Sequence, residues 1–322
     1  MTPPRPALSV VLVNWNTRDL LRTCLASVRA HLPPLAHEII VVDNGSSDGS
    51  AEMVAREFPD VQLVQNGENL GFGRANNVGM ARARGEFLLL LNTDACLVDG
   101  GVHALVERLR LRPEVGLIGP RLVGANGTLQ ASAHRFVTLG RLALEELGLY
   151  KLLPHRRVAE LFLGGYWPHA GERVVDWVSG ACMLVRRCVF ESTGGFDPTI
   201  FLYGEDEEWC ERIRRAGWSV LFSPVATVVH LRHGTADRYL GQDARVGRCL
   251  RASGELLRRR QGSLAAATGE VVRVVGALLK LSVFGARRLV RGASVEGDEA
   301  RWLARTVLTH YWRHWRSAGL GA

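Results

Sequence analysis

The chain has 322 residues, 47% hydrophobic and 22% charged, a globular composition that excludes general disorder and suits one large domain with an appendage. Forty Lys and Arg against 32 Asp and Glu give a formal net charge of +8 and a pI near 9.6, which favours polyanions or an anionic membrane face. The excess gathers late, at Arg258, Arg259, Arg260, Arg287, Arg288, Arg313 and Arg316, without a zinc-finger, helix-turn-helix or RNA-recognition signature, so nucleic acid is not an expected partner.

Six cysteines (Cys24, Cys96, Cys182, Cys188, Cys210 and Cys249) show no C-x-x-C spacing and no crowding, so they are expected reduced and mostly buried, in a cytoplasmic setting. The apolar run at 8–13 is too short for a signal peptide or a membrane span.

In chain order, residues 8–13, 38–42, 61–65 and 86–91 are predicted strands. Between the first two, Leu20, Leu21, Cys24, Leu25 and Val28 recur at helical spacing, with Thr17 as cap and Pro33-Pro34 as stop. Repeating that βαβ unit predicts an α/β fold with a mostly parallel sheet covered by helices on both faces. Ligands of such sheets sit beyond the carboxyl ends of the strands. Those ends are polar here: Asn14-Trp15-Asn16, the Asp43 to Gly49 loop, the Asn66 to Gly73 loop, and Asn92-Thr93-Asp94.

Further on, strands are predicted at 174–178, 183–185, 220–222 and 226–229, with a helix over 205–216 stopped by Gly217. Beyond Thr235 the pattern is helical and basic, which divides the chain into a main domain over 1–235 and an extension over 236–322. Within 271–290 the aliphatics are interrupted by Arg273, Lys280, Arg287 and Arg288. That argues for a helix lying on a bilayer or on the protein itself, not one that spans. His310 and His314, flanked by Tyr311, Trp312 and Trp315, fit an amphipathic aromatic face better than a metal site.

Gly71-Phe72-Gly73 is not a dinucleotide fingerprint, because it follows the third strand and Asn76 or Asn77 stands where a third glycine is needed. Its glycines suit close approach of backbone to a ligand, with Arg74 opening a helix whose N-terminus favours phosphate. Asp94, ending an apolar strand, suits a divalent cation bridged to a diphosphate, although the tripeptide read alone fits an ordinary helix cap better. Four consecutive acids after Phe201-Leu202-Tyr203-Gly204 put Glu205 or Asp206 forward as a general base. His230, just past a strand, is a candidate metal or phosphate ligand.

Together these segments resemble the family-2 glycosyltransferases of the GT-A fold, especially the bacterial rhamnosyltransferase-like branch that builds surface polysaccharides. The motifs, in order, are Val13 to Asn16, Val41 to Ser50, Asn69 to Gly73 with Asn77 and Gly79, Leu90 to Asp94, Trp177 to Ala181, Gly194 to Asp197, Tyr203 to Asp206, and His230. The resemblance implies a Rossmann-like sheet and an inverting, metal-dependent transfer from a nucleoside-diphosphate sugar, dTDP-rhamnose or a UDP-sugar. The implied acceptor is a saccharide or polyprenyl-linked saccharide.

It further implies that Asn14, Asn16 and Asp43 hold the nucleoside, that Gly71, Arg74, Asn77 and Asn92 border the nucleotide and its phosphates, and that Asp94 and His230 bind Mg²⁺ or Mn²⁺. Asp206 would be the base, with Glu205 beside it, and Trp177, Gly180, Ala181 and Tyr203 would line the sugar and acceptor. Asn92 departs from the family's fuller motif, which has a first Asp there. The implied place is cytoplasmic, with peripheral attachment to the inner membrane face through the tail. Two other readings stay open: a non-catalytic nucleotide-sugar-binding scaffold, and a sugar nucleotidyltransferase. The latter lacks its glycine-rich, basic loop after the first strand.

Overall fold

Runs of Val, Ile and Leu that are apolar on both faces need cover on both sides, and in this protein they become the middle of a sheet. The structure, a computed structural model, describes residues 6–32, 35–231 and 241–319. Strands β1 (Leu8–Asn14), β2 (His37–Asp43), β3 (Gln62–Gln65) and β4 (Phe87–Asn92) lie parallel in the order β3-β2-β1-β4. Helices α1 (Arg18–His31), α2 (Ser50–Glu57) and α3 (Phe72–Arg82) make the crossovers. Val10, Val11 and Leu12 of β1 are fully buried, each contributing about 1.5–3 kcal/mol relative to exposure. Helix α1 ends at His31; Pro33 and Pro34, expected to stop it, lie outside the described residues.

Past β4 come β5 (Ala95–Leu97), α4 (Gly101–Leu111), β6 (Val115–Val123), β7 (Leu129–Gln130) and β8 (Ala133–His134). After helices α5 (Leu139–Glu146) and α6 (His155–Phe162) the chain returns through β9 (Arg173–Val175), β10 (Trp177–Val178), β11 (Cys182–Arg186), α7 (Arg187–Thr193), α8 (Glu205–Arg215) and β12 (Ser219–His230). The sheet continues as β4-β11-β6-β12-β5, with β11 antiparallel to both neighbours and β12 parallel to β6. Antiparallel pairing of β5 with β12 sets His230 opposite Ala95, next to Asp94.

Three expected strands differ. The runs at 220–222 and 226–229 form the single strand β12, whose register shifts between Ser223 and Thr227, where Pro224 cannot donate to the ladder. The run at 174–178 is split between two sheets at Asp176. Its buried carboxylate accepts from the Phe136 amide at 2.9 Å and pairs with Arg135 and Arg214.

The chain divides into two compact units, Met1–Phe136 with Leu163–Arg238, and Val137–Phe162 with Tyr239–Ala322. The boundary expected at 235 lies outside the described residues. The second unit contains α5, α6, α9 (Gln242–Gln261), α10 (Ser263–Arg291) and α11 (Val295–Gly319). Residues 137–162 join the late helices because Leu142 is buried there and Lys280 donates to Glu146 at 2.6 Å. Among the described residues no helix is long and apolar enough to cross a membrane.

Candidate active site

Asn14 and Asp43 end neighbouring strands in register, and their side chains are locked together. Asn14 donates to Asp43 Oδ1 at 3.1 Å and to Ser46 Oγ at 3.0 Å, and accepts from Thr17 at 2.7 Å. Asp43 Oδ2 accepts the Ser46 amide at 3.0 Å. Asn14 is fully buried and Asp43 is 4% exposed, so the pair forms the inside of a wall at these two strand ends. Asn16, at φ 53°, accepts the Ser47 amide at 2.8 Å and so orders the same loop. Thr17 stands at the N-cap of α1 without capping it. Its hydroxyl instead bridges Asn14 and Thr93 (2.9 Å), while Asp48 accepts the Arg18 amide at 2.8 Å.

Gly71 and Gly73 permit close approach of protein. A Cβ at Gly71 (φ +85°) would stand 2.6 Å from Phe201 O, and one at Gly73 2.9 Å from Phe196 Cβ. Asn77 also meets protein: its amide donates to Phe196 O at 2.8 Å and accepts from Phe196 N at 2.9 Å, fastening α3 to the turn 119 residues away. Arg74 is exposed in the first turn of α3, free of the close packing around Gly73.

Asp94 and His230 are brought together: His230 Nε2 lies 3.3 Å from Asp94 Oδ1, and Asp94 is 5% exposed. Gln130 fixes the imidazole. Its Nε2 donates to His230 O at 2.7 Å, which turns its Oε1 toward Nδ1 at 2.9 Å, so Nδ1 carries hydrogen. A carboxylate oxygen and an imidazole lone pair at that distance repel unless a proton or a cation lies between them, so the pair fits a divalent cation that takes oxygen and nitrogen ligands. Among the described residues no group of three or more His, Cys, Asp or Glu could hold a metal, so this pair alone would not complete a coordination sphere. Gln130 was not singled out in the sequence: it sits on a two-residue strand 100 positions from its partner, with no local signal.

Asp206 is half-buried, and its carboxylate accepts the Gly180 amide at 3.1 Å and the Glu207 amide at 2.9 Å. Burial raises its pKa against the pull of those amides. Glu205 is 5% exposed with Oε2 unpartnered, and burial plus the Asp206 charge push its pKa up to about 8. Both acids are thus pushed up, Glu205 by the neighbouring Asp206 charge as well as by burial. Tyr203 at φ 72° and Gly204 at φ 89° turn the chain sharply into α8, a strained entry of the kind kept at functional sites. Trp177 donates to Arg135 O at 3.1 Å and stacks on His134 at 4.2 Å, half-buried on β10. The Ala181 carbonyl accepts the Asn92 amide at 3.0 Å, so the Gly180-Ala181 step joins the Asp206 side of the site to the Asn92-Thr93-Asp94 turn.

Residues 9–164 match the Glycosyl transferase family 2 model. The chain is 31% identical over 256 residues to the N-acetylglucosaminyl-diphospho-decaprenol L-rhamnosyltransferase of Mycobacterium tuberculosis, covering 72% of this chain and 78% of that one. It is 30% identical over 238 residues to the O-antigen biosynthesis protein RfbC of Myxococcus xanthus, covering 72% of this chain and 18% of that one. The fold matches that of mannosyltransferase PcManGT from Pyrobaculum calidifontis, solved with GDP-Man and Mn²⁺. The TM-score is 0.58 at 17% identity, over 96% of this chain and 87% of that one.

The sheet and its flanking helices are thus those of the GT-A fold. The chain belongs to glycosyl transferase family 2, as its motif order implied.

Proposed function

We propose that this glycosyltransferase moves L-rhamnose, with inversion, from a dTDP donor to a hydroxyl of an N-acetylglucosaminyl diphospho-polyprenol, at the cytoplasmic face of a membrane. The sugar and acceptor rest on the M. tuberculosis relative's activity. The mechanism rests on one observation: a carboxylate–imidazole pair and a carboxylate held by a backbone amide belong to the same strand-end rim, joined through Gly180 and Ala181.

Asp206 takes the proton of the acceptor hydroxyl, whose oxygen forms a bond to the anomeric carbon as the bond to the departing phosphate oxygen breaks. The bonding pair leaves with the nucleoside diphosphate. Gly180 and Glu207 amides aim the Asp206 carboxylate, and neutral Glu205 behind it does not compete for the proton. Asp94 and His230 would hold Mg²⁺ or Mn²⁺, which when bound neutralises charge on the leaving diphosphate. The Asn14–Asp43 wall shapes the nucleoside end, and Arg74 supplies a cation beside it.

Melting the protein with a panel of sugar nucleotides and either cation identifies the donor, dTDP-rhamnose giving the largest rise. Transfer to a short-chain lipid diphosphate acceptor, with the anomeric configuration read by NMR, then tests the reaction. A product that retains the donor's configuration rejects the single displacement.

A further inference from the structure

We propose that the outer face of α10 is a docking surface for an anionic phospholipid membrane. An ordinary surface helix turns aliphatics inward and charges outward. Over residues 271–283 helix α10 does the reverse. Arg273 is 4% exposed and donates to Tyr311 Oη at 3.2 Å and Ser253 Oγ at 2.5 Å, and Lys280 reaches Glu146. Gly276 lies on that inner side too, where a Cβ would meet Glu146 O at 2.6 Å. Two of the four charges that interrupt the aliphatic run, Arg273 and Lys280, are thus satisfied inside the unit, while Arg287 and Arg288 stay exposed beside the aliphatics left outside.

Val271, Val275, Leu278, Leu279, Val283 and Leu289 are 41–90% exposed, at steps that keep them on one side of the helix. The helix runs for 29 residues, roughly 43 Å at 1.5 Å per residue. No described helix is apolar enough to cross a bilayer, so this stripe suits one lying in the plane of the interface.

Charge selects the occupant. Residues 241–322 carry fifteen Lys and Arg against six Asp and Glu, so the whole chain's positive excess resides in this segment. A second copy seated on the stripe would bring two such segments together, whereas anionic headgroups attract them while acyl chains cover the aliphatics. Trp312 (60% exposed) and Trp315 (43%), interleaved with Arg313 and Arg316 on α11, add the residue types that favour a headgroup layer. The proposal deepens the lipid-linked-acceptor reading, since it keeps the enzyme on the surface where such an acceptor lies.

The test is flotation of the full chain with vesicles of phosphatidylcholine alone or mixed equally with phosphatidylglycerol. The mixed vesicles should carry the protein and the neutral ones should not. A triple variant, Val275→Ser with Leu278→Gln and Leu279→Gln, should lose flotation about tenfold or more while keeping its melting temperature, because these side chains face out. Equal flotation of variant and wild type overturns the proposal, as does equal binding to neutral vesicles. So does a wild-type dimer that the variant converts to monomer with flotation unchanged, which would assign the stripe to a second copy. Flotation is read on the protein alone, so it stands or falls separately from the transfer reaction, which a water-soluble acceptor reports for both forms.

Discussion

Gly180 donates its amide to Asp206 at 3.1 Å, and the carbonyl of the next residue receives the Asn92 amide at 3.0 Å. One dipeptide therefore sets the distance between Asp206 and the strand end that presents Asp94. Because both bonds are to backbone, that spacing does not depend on the identity of the side chains at 180 and 181, only on the path of the chain there.

Asp206→Asn keeps the size and the amide contact but cannot take a proton. Turnover should fall by about 10²- to 10⁴-fold, with donor affinity by calorimetry little changed. Turnover near that of wild type would remove Asp206 from the reaction.

The tautomer of His230 depends on Gln130. In Gln130→Leu the ring can place its hydrogen on Nε2, facing Asp94, and the cation must then displace it. The Mn²⁺ concentration giving half-maximal transfer should rise about 10- to 100-fold. An unchanged requirement would mean that the imidazole is not a ligand.

Glu205 links stability to pH. Its folded pKa of about 8 lies above the ordinary value of 4.5, so between those values the native state holds a proton that the unfolded chain has lost. Stability from this group is fully present below pH 4.5 and falls as pH rises toward 8. Glu205→Gln removes the dependence. The variant should match wild type near pH 5 and exceed it at pH 8 by on the order of 1 kcal/mol. Parallel melting curves for the two proteins across that range would contradict a neutral Glu205.

Gly71→Ala meets both a left-handed φ and the Phe201 carbonyl, and should cost about 2–4 kcal/mol of stability, along with the Phe72–Phe201 bond that ties α3 to the loop before Asp206. Gly67→Ala, with φ +73° and nothing within 4 Å of the added carbon, should cost only about 1 kcal/mol. Denaturant titration of both variants measures the difference, and equal losses would show that the contact with Phe201 contributes nothing.

The four parallel strands were legible because continuous apolar runs and the polar residues that end them are local properties of the chain. The same holds for Asp43, Asp94 and His230 at strand ends and for Asp206 in the first turn of α8, whose residue types stand out against apolar neighbours. Asn14 and Asn77 were equally visible, yet their tasks were not: each is a polar side chain whose partner is set by packing, 29 residues away for one and 119 for the other. Gln130 had no signal at all. The helical extension shows the division most plainly. Its sequence fixed helix and charge, since periodicity within one element reports that two faces differ. Only the tertiary structure decided that Arg273 and Lys280 turn inward, because the direction of a face is chosen by the partners that satisfy it, and those lie on other helices.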